Sequence, residues 1–215
     1  MKICCISDTH SQHKQITIPK CDLLLHAGDF SEWGEEQELV DFLTWFESQP
    51  AIYKVFISGN HDWICEKRPD WVRTIVSGYD VIYLRDETFT IDNLNIYGYP
   101  WQPKFCNWAF NANSKQRKRF VKQIPNTTDI IISHGPPLQI LDQVFRGNHV
   151  GCEFLSQRAQ NIKPMICLVG HIHESYGLAS SGPTHYINAS LCNLHNQIVN
   201  NPIILEIVNN QVQFL

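Results

Sequence analysis

Five times along this chain a short run of apolar residues, rich in β-branched side chains, ends in a turn that carries aspartate, asparagine or histidine. Residues 2–7 meet Asp8 and His10, and 22–27 close in Gly28 and Asp29. Residues 53–57 run into Ser58, Gly59, Asn60, His61 and Asp62, 129–133 into His134, and 165–169 into Gly170, His171 and His173. Such runs read as buried strands ended by Gly-marked turns. A sheet of buried parallel strands needs helices over it, and the loops at one edge of an open, twisted sheet converge on a common crevice.

The intervening segments supply the helices. Leu39, Phe42, Leu43 and Phe46 fall on one stripe at helical spacing, so 35–48 reads as a core-packed helix ended by Pro50. Glu32, Glu35 and Glu36 sit near its start, where the helix dipole favours them. Strand, helix, strand is a parallel crossover unit. A second helix starts at Pro69 and Asp70, with Trp63, Trp71, Val72 and Ile75 facing the sheet; further helices are predicted over 114–122 and 153–161. Strands are expected at 80–84, 88–91 and 94–97, spaced closely enough to pair antiparallel, and at 185–188, 202–208 and 212–215, whose late clustering suggests a second sheet. The aromatic stretch 98–110, with Trp101 and Trp108, reads as a long loop pinned over the sheets rather than a wall for a nucleobase. Residues 138–150 lack periodicity and read as loop. His26 lies inside an apolar run and reads as a packed core histidine, and His13 as a loop residue.

At 215 residues, with nothing resembling a linker, the chain is expected to form one domain over 1–215. Its net charge of −4 is spread along the sequence, which argues against a dedicated nucleic-acid surface and so against a nuclease. The one basic cluster, Lys115, Arg117, Lys118 and Arg119, reads as a solvated helix face. Eight cysteines occur without a Cys-x-x-Cys pair and read as reduced thiols, with Cys4 and Cys5 on opposite faces of one strand. No apolar stretch is long enough to span a bilayer and none at the start reads as a signal peptide, so a soluble, cytoplasmic protein without a membrane partner is expected.

In an extended segment, residues two apart project to one side, so Asp8 with His10, and His171 with His173, each offer a pair of ligands to one face. Asp8, His10, Asp29, Asn60, His134, His171 and His173 together exceed what one tetrahedral site needs; two divalent cations fit better. One would take Asp8, His10 and His173, the other Asn60, His134 and His171, with Asp29 bridging, because cations about 4 Å apart repel and need anionic charge between them. A hydroxide bridging such ions is a nucleophile near neutral pH. His61 then suits the general acid that protonates a departing alkoxide, with Asp62 orienting its ring and favouring its charged form. The absence of thiolates from the set disfavours soft-metal and structural zinc sites. Asn60, Arg146, His149 and Asn188 are candidate substrate contacts.

Asp8-x-His10, Gly28-Asp29, Gly59-Asn60-His61-Asp62, His134 and Gly170-His171-x-His173, in this order, resemble the signature of the calcineurin-like metallophosphoesterase superfamily. The runs His26 to Phe30, Tyr97 to Trp101 with Pro103, Ser133 to Pro137, His149 to Cys152 and Ile187 to Ser190 are similar to its metallophosphoesterase-domain-containing subgroup. That resemblance implies an α/β fold, a four-layer αββα sandwich of two mixed sheets. It also implies a phosphoesterase, first a phosphodiesterase for cyclic nucleotides or other small diesters. Manganese is the first candidate metal, with iron, zinc or magnesium as others. A phosphomonoesterase on the same site, or a non-catalytic protein-interaction scaffold, are the alternatives; scaffolds would be expected to lack the acid or some ligands, and here every position is filled.

Overall fold

The computed structural model describes residues 1–215. Its strands are β1 (Lys2–Ile6), β2 (Cys21–His26), β3 (Ala51–Phe56), β4 (Ile82–Tyr83), β5 (Glu87–Ile91), β6 (Leu94–Tyr99), β7 (Gln102–Pro103), β8 (Asn111–Ala112), β9 (Ile130–Ser133), β10 (Ile166–Val169), β11 (Gly177–Ser181), β12 (Thr184–Asn188), β13 (Ile203–Val208) and β14 (Gln211–Phe214). The helices are α1 (Glu36–Glu47), α2 (Trp63–Lys67), α3 (Pro69–Val76), α4 (Ser114–Val121) and α5 (Glu153–Ile162).

Two six-stranded mixed sheets result, ordered β14-β13-β1-β2-β3-β4 and β11-β12-β10-β9-β6-β5. In the first, β1 to β4 run parallel; in the second, β12, β10, β9 and β6 do. Alternation along each strand sorts side chains into three apolar layers. Ile3, Cys5, Leu23, Leu25 and Val55 face Ile130, Ile132, Ile166 and Leu168 between the sheets. Cys4, Ile6, Leu24 and Phe56 pack outward under Leu39, Phe42, Leu43 and Phe46 of α1 and Val72 of α3. Tyr97, Ile131, Cys167 and Val169 pack on the other outer face, under Phe120 and Val121 of α4 and Leu155 and Ala159 of α5. This is the expected four-layer αββα arrangement, and Cys4 and Cys5 do face opposite layers.

Several local expectations are corrected. β4 is not part of an antiparallel meander: it pairs parallel with β3, and of these three strands β5 and β6 alone form a hairpin, through Asp92 and Asn93 at positive φ. The C-terminal strands do not all build the second sheet, because β13 returns to pair antiparallel with β1 and brings β14 with it. Arg117 is buried rather than solvated; its guanidinium donates to the Ala112 carbonyl and to both oxygens of Glu153, tying α4 to α5. His13 is buried against Asp41 and Trp45. No helix is long and apolar enough to cross a membrane.

The two sheets meet where their parallel strands end. Ser7, past β1, forms a parallel bridge with Ser190, past β12, and the Leu191 N–H donates to the Ser7 carbonyl at 3.0 Å. The five ligand-bearing turns lie beside this junction.

Candidate metal centre

Each turn is held by its neighbours before any side chain is considered. The Asp8 N–H donates to Gly28 O, and the amides of Thr9 and His10 both donate to Asp29 O at 3.0 Å, so the turn after β1 is fastened to the turn after β2. That fastening curls the backbone: Asp8, His10, Asp29 and His171 have φ of 53°, 40°, 54° and 67°, in the left-handed region. For residues with a Cβ this costs roughly 1–2 kcal/mol each. The extended geometry expected for Asp8-x-His10 and His171-x-His173 is therefore replaced by tight turns, and His171 and His173 turn toward different ligand groups. Glycine is required beside them. A methyl group on Gly59 would overlap the Asp29 carboxylate, and one on Gly170 would overlap Asp8 and Ser7.

The expected ligands converge as two groups, and a third cluster of His10, Glu32 and His61 lies beside them. Ligand atoms of Asp8, His10 and His173 lie within 4.8 Å of one another, as do those of Asp29, His134 and His171. In the first, His173 Nε2 stands 3.4 Å from His10 Nε2 and 3.2 Å from Asp8 Oδ1. In the second, His134 Nε2 stands 3.3 Å from Asp29 Oδ2 and 2.9 Å from Asn60 Oδ1. Atoms about 2.1 Å from one ion, at angles between octahedral and tetrahedral, stand about 3.0–3.4 Å apart, so both groups fit a divalent cation. The far nitrogens are anchored on main chain: His134 Nδ1–H donates to Ala27 O at 2.9 Å and His173 Nδ1–H to Asn193 O at 3.0 Å. This fixes each tautomer with Nε2 as the ligand atom. All seven residues expected from the sequence are brought together, Asn60 through its contact with His134, and Asp29 of the second group accepts from the His61 N–H through Oδ1 at 2.7 Å.

Electrostatics favour a cation here. Burial opposes ionisation of Asp8, yet the hydrogen bond and charge of His173 hold it well below the usual carboxylate range. Burial opposes charge on His134 and His173 too, but Asp29 and Asp8 respectively outweigh it and push both up to about 9. Burial, helped by the charge of neighbouring histidines, outweighs Asp29 and Asp8 and takes His10 down to about 4 and His171 to about 3, leaving neutral ligands with free lone pairs.

Asp62 departs from its expected role. Its carboxylate is buried and accepts from the amides of Asp29, Ser31 and Gly59 and from the Ser31 hydroxyl, between 2.6 and 3.1 Å. Burial and the charge of Asp29 push it up to about 7. It clamps the turns after β2 and β3 and does not orient His61. That ring is oriented by the Glu32 carbonyl, 2.7 Å from Nδ1, and by Trp108, stacked on it at 4.3 Å between centroids. A carbonyl cannot donate, so Nδ1 carries a proton and Nε2 is the nitrogen available to the cavity.

The other candidate substrate contacts are also corrected. Asn188 is fully buried; its amide donates to Ile172 O and its oxygen accepts from Ser190, so it shapes the turn behind the ligands. His149 pairs with Asp142 at 2.6 Å, and neither it nor Arg146 lines the cavity at the ligands. That cavity, about 210 Å³, is lined by His10, Asp29, Asn60, His61, His171 and His173, with Phe105, Trp108, Leu194 and Asn196 around its mouth. Glu32, Trp108, Asn196 and Ser190 were not singled out from the sequence as part of the site. Asn196 donates to the Glu32 carboxylate at 2.7 and 2.9 Å, and Ser190 Oγ donates to Asp8 at 2.9 Å. These contacts join residues more than 160 positions apart, and no local pattern marks them.

The family model for calcineurin-like phosphoesterases matches residues 1–175 of this chain. Metallophosphoesterase domain-containing protein 1 of Homo sapiens is 37% identical over 227 residues, covering 94% of this chain and 70% of that protein. A UPF0046 protein of Caenorhabditis elegans is 35% identical over 219 residues, covering 96% of this chain and 75% of that protein. Among solved structures, a phosphopantetheinyl hydrolase of Mycobacterium tuberculosis superposes with a TM-score of 0.67 at 13% identity, covering 91% of this chain and 90% of that one, a likeness of fold.

Proposed function

This chain belongs to the calcineurin-like phosphoesterase family, and from that premise we propose that it is a dinuclear-metal phosphodiesterase acting on cyclic nucleotides or other small phosphodiesters. The family supports hydrolysis of phosphoesters with divalent metals. The presence of two separate ligand groups, Asp8 with His10 and His173 and Asp29 with His134 and His171, supports two cations rather than one. When bound, two such ions supply an acidified water and grip the phosphoryl oxygens during in-line displacement.

Preference for a diester rests on what surrounds the ligands. No lysine or arginine lines the cavity. A phosphomonoester brings a second negative charge that a low-dielectric site must balance, whereas a diester brings one. The chain's own residues then have separate tasks. Asp29 offers charge to both cation positions, and the His61 N–H fixes its orientation. Asn60 offers its Oδ1 to the same cation position as His134 Nε2, 2.9 Å away. His61, with Nδ1–H engaged by Glu32, passes its Nε2 proton to the departing alcohol oxygen. Trp108 covers one face of that ring and keeps it from rotating into solvent.

The test is hydrolysis of bis(p-nitrophenyl) phosphate beside p-nitrophenyl phosphate, on chelated protein reloaded with manganese. Metal-dependent turnover that is greater on the diester supports the proposal. Greater turnover of the monoester reassigns the site to a phosphomonoesterase, and no turnover at full metal loading argues for a scaffold.

A further inference from the structure

A second cavity of about 340 Å³ opens beside the ligands and shares Phe105, His171 and Leu194 with the first. His61 and Trp108 line only the first, so the second lies on the His171 side of the centre, away from the proposed acid. Its remaining walls are mostly carbon, from Pro103, Val144, Val150 and Ile172. Apolar side chains are left open to water around it: Phe105 is 60% exposed, Leu194 61% and Val150 39%. Phe145, at 88%, stands beside it with its N–H on Glu174. Surface apolar residues are ordinary singly, but a group of them around one cavity marks a place where something apolar binds.

The walls are fixed to the ligand turns. Gln143 N–H donates to Ser175 Oγ at 3.1 Å, Ser175 Oγ–H to Gln143 O at 2.8 Å, and Phe145 N–H to Glu174 at 3.0 Å, so Val144 is held against the turn that carries His171 and His173. The opposite wall, Leu194, follows Asn193, whose carbonyl holds His173. The space is thus preformed at a constant distance from the phosphorus position. Lys104 and Glu174 both line it, with opposite charges, so neither sign of charge on an occupant is favoured.

We propose that this cavity holds the arm of the diester that stays on phosphorus, and that the arm is uncharged aryl or alkyl carbon. The inference rests on the phosphodiesterase reading and adds the class of substrate, an asymmetric diester with one apolar arm. In the reaction a water oxygen forms a bond to phosphorus while the bond to the leaving oxygen, on the His61 side, breaks. The leaving oxygen takes the His61 proton, and a proton of the water restores it. The product retained by the cavity is the phosphomonoester of the apolar arm.

The experiment compares methyl p-nitrophenyl phosphate with phenyl p-nitrophenyl phosphate on the manganese-loaded protein. The leaving group is constant and only the retained arm changes. The phenyl ester is expected to exceed the methyl ester by about 10- to 100-fold in kcat/KM. Val150→Asn and Val144→Asn, which line only the second cavity, are expected to bring that ratio toward one. Equal rates in the parent protein, or a ratio that neither variant alters, overturns the proposal. Calorimetric binding of phenylphosphonate against methylphosphonate separates it from the reading beneath it. Tighter phenyl binding that Val150→Asn abolishes supports the subsite even if no ester is cleaved and the phosphodiesterase reading falls. Equal binding overturns the subsite even if both esters are cleaved.

Discussion

The two sheet edges contribute unequally to the centre. The first sheet supplies both carboxylates, the His10 imidazole, the amide of Asn60 and the proposed acid, on the turns after β1, β2 and β3; the second supplies imidazoles alone, His134, His171 and His173. Yet each edge is oriented by the other. Asp8 of the first sheet is held by the His171 N–H and the Ser190 hydroxyl of the second, and His134 of the second by the Ala27 carbonyl of the first. Anionic charge is thus concentrated on one side, while the hydrogen bonds that aim it cross the junction. Neither sheet edge alone carries a usable ligand group.

That asymmetry predicts a gradient of effects. Asp29→Asn removes the charge between the cation positions and should lower metal content below one ion per chain, with a loss of roughly 10³-fold or more in turnover. Elemental analysis beside diester hydrolysis checks it, and unchanged metal content would remove Asp29 from the bridging role. His61→Ala should retain metal but lose about 10²-fold on diesters with alkyl leaving groups, and little on p-nitrophenyl esters, whose leaving oxygen needs no proton. Equal losses across leaving groups would exclude it as the acid. Asp62→Asn provides the contrast: because Asp62 clamps two turns of the first sheet, its loss should lower Tm and metal content without any leaving-group dependence.

Smaller effects probe the crossing bonds and the charge itself. Ser190→Ala deletes one bond from the second sheet to Asp8 and should weaken metal binding about 10-fold, read by competition with a chelator. In metal-free protein His134 and His173, pushed up to about 9, hold protons at pH 7. Manganese uptake should therefore release protons, and affinity should rise as pH climbs toward 9. The same raised values stabilise the metal-free fold fully below the unfolded histidine pKa of about 6.5 and lose that contribution as pH passes about 9. Calorimetric titrations in buffers of differing ionisation enthalpy check the first, and melting of chelated protein from pH 6 to 10 the second.

Much of this centre is legible in the sequence because ligands are local. Asp8, His10, Asp29, Asn60, His134, His171 and His173 each follow a short apolar strand, and parallel strands deliver such turns to one edge whatever lies between them. The helical stripe of α1 is equally local, being set by the 3.6-residue period. What fails to read is anything settled by a partner distant in sequence. Asp62 sits next to His61 in the chain, which suggests that it orients that ring, but its bonds go to Asp29, Ser31 and Gly59 because α2 begins directly after it and turns the carboxylate inward. Asn188 resembles a loop amide near substrate, yet the close of β12 buries it. The return of β13 to β1 is decided by which edge stays unpaired, and a strand's own residues carry no record of that.

The sequence by itself determined the ligand identities, their order and the alternation that sorts three apolar layers, since each depends on neighbours a few residues away. Only the tertiary structure decided that the ligand turns curl rather than extend, which groups orient His61, and that an apolar cavity adjoins the centre. Those follow from tertiary packing, where a carbonyl from Glu32, 29 residues before His61, and a ring from Trp108, 47 residues after it, meet on one imidazole.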